Sequence, residues 1–251
     1  MRQNILITGA SSGLGAEMAR QFAAKGRHLA LTARRVDRLE ALREEILAEH
    51  PGVEVVVRAL DVNDHDQVFA VVDECVDELG GLDRVVVNAG LGKGGRIGTG
   101  KFAANRETIE TNVVAALAQC EAAMAHFNER GTGHLVVVSS MSAMRGMPSS
   151  MTAYAASKAA IAHLAEGIRM DLVGRRTDIA VTTLFPGYIA SEMNEQVEQE
   201  QRLMVDTATG VRSMVKAIEK EVGDAAVPGW PWAPLGQVMK HAPLGVVRRL
   251  V

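Results

Sequence analysis

Long hydrophobic runs are missing from this 251-residue chain. Without a stretch of 18 apolar residues, no segment is suited to span a bilayer as a helix. The opening "MRQNILITGASSGLG" has only Ile5 to Ile7 as an apolar run and no cleavage site, so no signal peptide is read there. Cysteine is nearly absent. Cys75 and Cys120 are the only two, each within an apolar helical pattern. Buried free thiols fit better than a disulfide framework, and a reducing, cytoplasmic setting is expected. Neither sign of charge is in excess: 27 Lys and Arg stand against 30 Asp and Glu, and the formal net charge of −3 gives no reason to expect nucleic acid. His28, His126, His134 and His163 show no metal-ligand spacing, and no metal is assigned.

What is present is alternation. Hydrophobic residues make up 47% of the chain, ordinary for a globular protein. Short apolar runs at 4–8, 28–33, 53–60, 82–90, 133–140 and 179–187 read as strands. Between them, amphipathic stretches at 16–26, 36–50, 65–80, 104–129 and 152–174 read as helices. The strands are continuously apolar, as in a parallel sheet covered on both faces. The predicted fold is therefore a single-domain α/β, doubly wound, Rossmann-like sheet. The predicted layout is one Rossmann-type domain over 1–226 and a Trp/Pro-rich tail over 227–251. Ligands in such folds sit beyond the carboxyl ends of the strands, which directs attention to the loops there.

The first of those loops is "TGASSGLG", placing Gly9, Gly13 and Gly15 between a strand and a helix. That turn lets backbone approach a pyrophosphate at a helix N-terminus. The spacing is G-x-x-x-G-x-G rather than the usual dinucleotide G-x-G-x-x-G. A second pattern is Tyr154 and Lys158, one helical turn apart in "TAYAASKAA".

Together these motifs resemble the short-chain dehydrogenase/reductase family, over about residues 4–193. The resemblance implies an active site of Asn112, Ser140, Tyr154 and Lys158. Ser140 lies 14 residues before Tyr154, where the family commonly shows 13, so Ser139 and Ser142 remain candidates. It also implies cofactor contacts from Gly9, Ser11, Ser12, Gly13, Leu14 and Gly15, and from Asp61 and Val62 after the third strand. Asn88, Ala89 and Gly90 follow the fourth strand. Pro186, Gly187, Ile189 and Ser191 follow the sixth, and Tyr154 and Lys158 face the nicotinamide ribose. Asn112 would support a water linking Lys158 to solvent, the domain over 1–226 would be catalytic, and about 188–210 would form a mobile substrate lid. A homodimer or homotetramer is expected.

The residues themselves carry the chemistry further. A carbonyl reduced by hydride needs a proton, and the reverse reaction needs a base. A tyrosine with a pKa of about 10 can serve both if nearby positive charge lowers it. Lys158 and an oxidised nicotinamide would do so, and a two-unit drop corresponds to roughly 2.7 kcal/mol. Ser140 would fix the substrate oxygen. At the end of the second strand, where dinucleotide folds carry an acid for the ribose, this chain has Arg34 and Arg35. Guanidinium suits a 2′-phosphate, so NADP(H) is the expected cofactor, with Arg34 as its main phosphate contact. The expected function is hydride transfer between that cofactor and a small-molecule carbonyl or alcohol. The alternative is a non-catalytic NADP(H)-binding sensor or scaffold.

Two segments depart from the family. The loop 90–101 holds six glycines with Lys93, Arg96 and Lys101, and reads as a mobile surface loop or a basic rim for an anionic substrate. The tail holds both tryptophans, four of the seven prolines, and Arg248 and Arg249. Packing on the subunit or its partner is favoured over interfacial membrane contact through Trp230 and Trp232.

Overall fold

The computed structural model describes residues 2–190, 192 and 203–250. Its elements are β1 (Asn4–Thr8), α1 (Gly13–Ala23), β2 (His28–Ala33), α2 (Val36–Glu49), β3 (Val55–Ala59), α3 (His65–Leu79) and β4 (Arg84–Val87). The second half contains α4 (Phe102–Ile109), α5 (Ala115–Arg130), β5 (Thr132–Val138), α6 (Met151–Leu172), β6 (Asp178–Pro186), α7 (Thr207–Glu219), β7 (Asp224–Val227), α8 (Gly229–His241) and α9 (Leu244–Leu250). A π-helical turn at Glu110–Val114 joins α4 to α5, and a 3₁₀ turn at Met141–Met144 follows β5.

The seven strands pair in the order β3-β2-β1-β4-β5-β6-β7, all parallel. Parallel pairing demands crossovers, and the helices supply them on both faces. Alternation within each strand feeds two cores. Ile5 and Ile7 join Phe22 of α1, Leu39 of α2 and Met214 of α7 on one face. Leu6 and Val85 join Val72 of α3, Phe127 of α5 and Ile161 of α6 on the other. A strand flanked on both sides this way must be apolar throughout, which is why its sequence shows no alternation.

Strand order reverses between β1 and β4, opening a crevice at their carboxyl ends. The opposite end of the sheet is locked by charge. Arg84 is almost fully buried and donates to His134 Nδ1 at 2.9 Å and Glu219 Oε1 at 2.7 Å. Arg27 donates to the other Glu219 oxygen at 2.7 Å. Burial, with Arg84 alongside, pushes the His134 imidazole down to about 2, so it stays neutral and can accept from Arg84. Burial alone would raise Glu219, but the hydrogen bonds from Arg84 and Arg27 bring it below the usual carboxylate range. Burial also lifts both Cys75 and Cys120 to about 12, as expected for inert core thiols.

Candidate active site

The glycine turn is held against β4 by side chains. Thr8 Oγ1 accepts from the backbone N–H groups of Asn88 and Ala89, both at 3.1 Å. Asn88 Nδ2 donates to the Thr8 carbonyl at 2.9 Å. Gly9 has φ +66°, and a Cβ there would lie 2.9 Å from Ala89 Cα. A Cβ on Gly15 would press into the Gly9 carbonyl and sit 2.8 Å from Asn88 Nδ2. Both positions thus need glycine, one for conformation and space and one for space alone. Gly13 has φ +53°. Ser12 precedes α1 without capping it, and the first turn carries no acid. The free N–H groups of that turn, with Ser11, Ser12 and Leu14 half-buried around them, suit a pyrophosphate.

A different arginine from the one expected reaches this turn. Arg35 Nη2 donates to Ser12 Oγ at 2.7 Å and to Ser11 Oγ at 3.2 Å. Arg34 is exposed and forms no hydrogen bond or ion pair among the described residues. Adjacent residues leaving a strand diverge, so only one of the two can face the turn. On the far rim, Asp61 is half-buried and its Oδ1 accepts from Asn63 N and Nδ2, both at 3.1 Å, while Val62 is buried beside it.

The second half of the site centres on α6, whose alanines and serines let the helix pack closely against the sheet. Ala153, Ala155, Ser157, Lys158 and Ile161 are all buried. Tyr154 is half-buried, and its hydroxyl is hydrogen-bonded to Ser140. Lys158 Nζ donates to the Val138 carbonyl at 2.9 Å and lies 5.8 Å from the centre of the Tyr154 ring. Of the three candidate serines, Ser140 is the one at the phenol. Ser139 Oγ donates to the Lys158 carbonyl at 2.7 Å, holding the helix to β5. Ser142 is buried and donates its backbone N–H to Ser140 Oγ at 3.1 Å.

Asn112 sits in the π-helical turn, where the widened backbone swings its side chain inward. Its Oδ1 accepts from Leu91 N at 2.7 Å, and its Nδ2 donates to Leu91 O at 2.9 Å and Ser157 Oγ at 3.0 Å. The amide acts as a ladder partner for the Leu91 peptide. A Cβ on Gly90 would lie 3.3 Å from Asn112 Oδ1 and 3.4 Å from Lys158 Nζ, so the three residues meet. Asn105, which the sequence did not single out, does the same for Gly95, at 2.9 and 3.0 Å. Lys93 is paired with Glu107 at 3.0 Å. The glycine-rich loop is therefore pinned to α4 at several points, and Arg96 and Lys101 remain as its exposed cations.

The electrostatics differ from the expectation. Burial pushes the Tyr154 phenol up rather than down, with the Ser140 hydrogen bond opposing it only in part. Burial also lowers Lys158 from its ordinary 10.5 to about 8. The ammonium is directed to the Val138 carbonyl, and burial is the larger influence on the phenol.

Pro186 and Gly187 close the site from β6. Trp232 of α8 lies so tightly on Gly187 that any Cβ there would enter the indole. Its ring meets Tyr188 edge-on, with centroids 5.2 Å apart. Ile189 is buried, and Ala190 N donates to the Val205 carbonyl at 3.0 Å. Ser191 and the stretch 193–202 of the expected lid lie outside the described residues. Trp230 is exposed at 81% while Trp232 is buried at 4%. No helix among the described residues is long and apolar enough to cross a membrane.

A dinucleotide-type crevice beside a Ser–Tyr–Lys cluster defines an oxidoreductase of the α/β class. The model of the short chain dehydrogenase family matches residues 3–202, and the chain belongs to that family. An uncharacterized oxidoreductase of Mycobacterium tuberculosis is 56% identical over 248 residues, spanning 99% of this chain and 97% of its own. An alcohol dehydrogenase from Thermococcus sibiricus, complexed with 5-hydroxy-NADP, superposes with a TM-score of 0.79 at 27% identity, covering 89% of this chain and 95% of its own. A Burkholderia phymatum short chain dehydrogenase/reductase in complex with NAD shares the fold, with a TM-score of 0.81 at 22% identity, over 94% of this chain and 92% of its own.

Proposed function

We propose that this chain is an NADP(H)-dependent carbonyl reductase or alcohol dehydrogenase in which Tyr154 is the general acid and base. The observation that carries this reading is the convergence of Ser140 on the Tyr154 hydroxyl, with buried Lys158 and Asn112 behind it. The dinucleotide, when bound, supplies or accepts the hydride. Ser140 holds the substrate oxygen within reach of the phenol. Tyr154 then donates its proton as that oxygen gains charge, and takes it back in the reverse direction. Lys158 steadies the phenol electrostatically and, through its charge, favours release of the proton. Asn112 positions the Leu91 peptide and Ser157, and so fixes the wall behind Lys158.

The phosphate preference rests on Arg35 at the glycine turn and on the lack of an acid at the end of β2. A carboxylate there would repel a 2′-phosphate, whereas guanidinium binds one bidentately. The complex with 5-hydroxy-NADP formed by the Thermococcus sibiricus relative is consistent with this choice.

The test is NADPH consumption against a panel of aldehydes, ketones, quinones and 3-oxoacyl thioesters, repeated with Tyr154→Phe. The variant should lose turnover while keeping NADPH affinity within a few-fold. Comparable rates in the variant would remove Tyr154 from proton transfer. NADPH binding with no turnover on any substrate would leave a sensor.

A further inference from the structure

The cations beside the glycine turn already hold an anion, and it comes from this chain. Glu192 Oε2 lies 3.2 Å from Arg35 Nη1 and 3.3 Å from Arg35 Nη2. Its Oε1 accepts from Arg38 Nη1 at 2.5 Å. The Ser12 hydroxyl is a third partner of the same carboxylate. Arg35 completes the arrangement by donating to Ser11 and Ser12.

These groups form a place for a compact oxyanion. Arg35 lies just before α2 and Arg38 in its first turn, three residues on, so their side chains project from one side of the helix. The helix N-terminus adds its own attraction for negative charge. Two guanidinium groups and a hydroxyl match the oxygens of a phosphate monoester at least as well as those of a carboxylate. The place also stands at the end of β2, where the ribose of a dinucleotide lies in this fold class. Glu192 reaches it from 154 residues further along the chain than Arg38, from the segment that follows β6.

We propose that Ser12, Arg35 and Arg38 form a recognition site for the ribose 2′-phosphate, and that Glu192 is its built-in occupant. A 2′-phosphate must evict the Glu192 carboxylate, whereas a dinucleotide without that phosphate leaves it in place. Glu192 therefore sets the strength of cofactor discrimination, and Arg38 is a phosphate ligand in addition to Arg35. This rests on the NADP(H) reading above and deepens it.

The eviction is not expensive. The arginines and Glu192 are all more than two-fifths exposed, and exposed pairs of this kind are weak and screened by salt. Removing the competitor should therefore tighten phosphate binding by about threefold to fivefold at low salt.

The experiment measures binding of 2′,5′-ADP and 5′-AMP by calorimetry, fragments that differ only in the 2′-phosphate. Wild type, Glu192→Gln and Glu192→Gln/Arg38→Gln are compared. The ratio of the two affinities should rise about threefold to fivefold in Glu192→Gln. The rise should shrink at high salt and be lost in the double variant. Wild type that prefers 2′,5′-ADP, with a ratio unchanged in Glu192→Gln, overturns the proposal and leaves the NADP(H) reading standing. Wild type that ignores the 2′-phosphate while Glu192→Gln gains a preference upholds the occupant and refutes wild-type selectivity. Indifference in both overturns both.

Discussion

Lys158 is an ionisable group placed where its charge is unfavourable, and replacing it should reveal how unfavourable. The side chain is 5% exposed, and burial lowers its pKa from 10.5 to about 8. That difference amounts to about 3 kcal/mol of folding free energy lost whenever the group must be charged. The variant Lys158→Met keeps the length and removes the charge. It also leaves the Val138 carbonyl without its 2.9 Å donor, which costs about 1–3 kcal/mol. At pH 7 the two effects nearly cancel, so a single melting temperature decides nothing. The pH dependence does. Between pH 8 and pH 10.5 the unfolded chain binds the proton and the folded chain does not, so stability rises with pH in that window. Integration gives a gain of about 2 kcal/mol for wild type relative to Lys158→Met between pH 7 and pH 9.5. For a chain of this length that is about 4–8 °C in Tm. Urea unfolding of both proteins at the two pH values is the assay. A wild-type advantage that stays constant with pH would show that Lys158 keeps an ordinary pKa in the fold. The argument from its burial would then fail.

Other consequences can be measured with the same proteins. Arg35→Ala should weaken NADPH at least tenfold while changing NADH little, and Arg34→Ala should do much less to either; equal losses in Arg35→Ala for both cofactors would take Arg35 out of phosphate recognition. Glu219→Gln leaves Arg84 and Arg27 facing a neutral partner and should cost about 2–3 kcal/mol, or about 5–10 °C in Tm, in differential scanning calorimetry. Because Glu219 is held below its ordinary 4.5, its contribution is complete above that pH and fades as pH falls through its folded value. The gap between wild type and variant should close on acidification, and a gap that widens would contradict the assignment. Carbonyl reduction should hold steady below about pH 8 and decline above it as Lys158 loses its proton. An undiminished rate at pH 9.5 would show that the charge on Lys158 is dispensable.

The parts of this fold legible in the sequence are those written in local pattern. The run at 28–33 matches β2 residue for residue because both ends are marked by polar or turn-forming neighbours. The first helix was expected from residue 16 but begins at Gly13, because two glycines in the opening turn hide it from any helical periodicity. The long helix expected at 104–129 is interrupted by the π-helical turn that presents Asn112, which no apolar spacing records. Nothing in the tail's composition distinguished Trp232, packed on Gly187, from exposed Trp230 two residues away. β7 is four residues long and leaves little local pattern, whereas α7 was legible, since Val211, Met214, Val215 and Ile218 keep helical spacing. Arg38 could have been found, since it lies three residues beyond Arg35 on a predicted helix. Glu192 could not, because its meeting with the arginines depends entirely on tertiary placement.

Burial acts on the two ionisable groups of the site in opposite directions, and in each case it favours the neutral form. It raises Tyr154 and lowers Lys158. Ser140 opposes the first effect, since a hydroxyl can donate to a phenolate as readily as it accepts from a phenol. A phenol that keeps its proton until charge develops on the substrate is suited to act as an acid. An ammonium near pH 8 can respond to that same charge, because a small change in field moves its protonation substantially. The pair is thus poised by low polarity rather than by mutual attraction alone. On the function proposed, Lys158 matters most as the phenol gives up its proton, when the negative charge that would justify its own has appeared. Such a role is differential by nature: it stabilises the charged transition state more than the resting site.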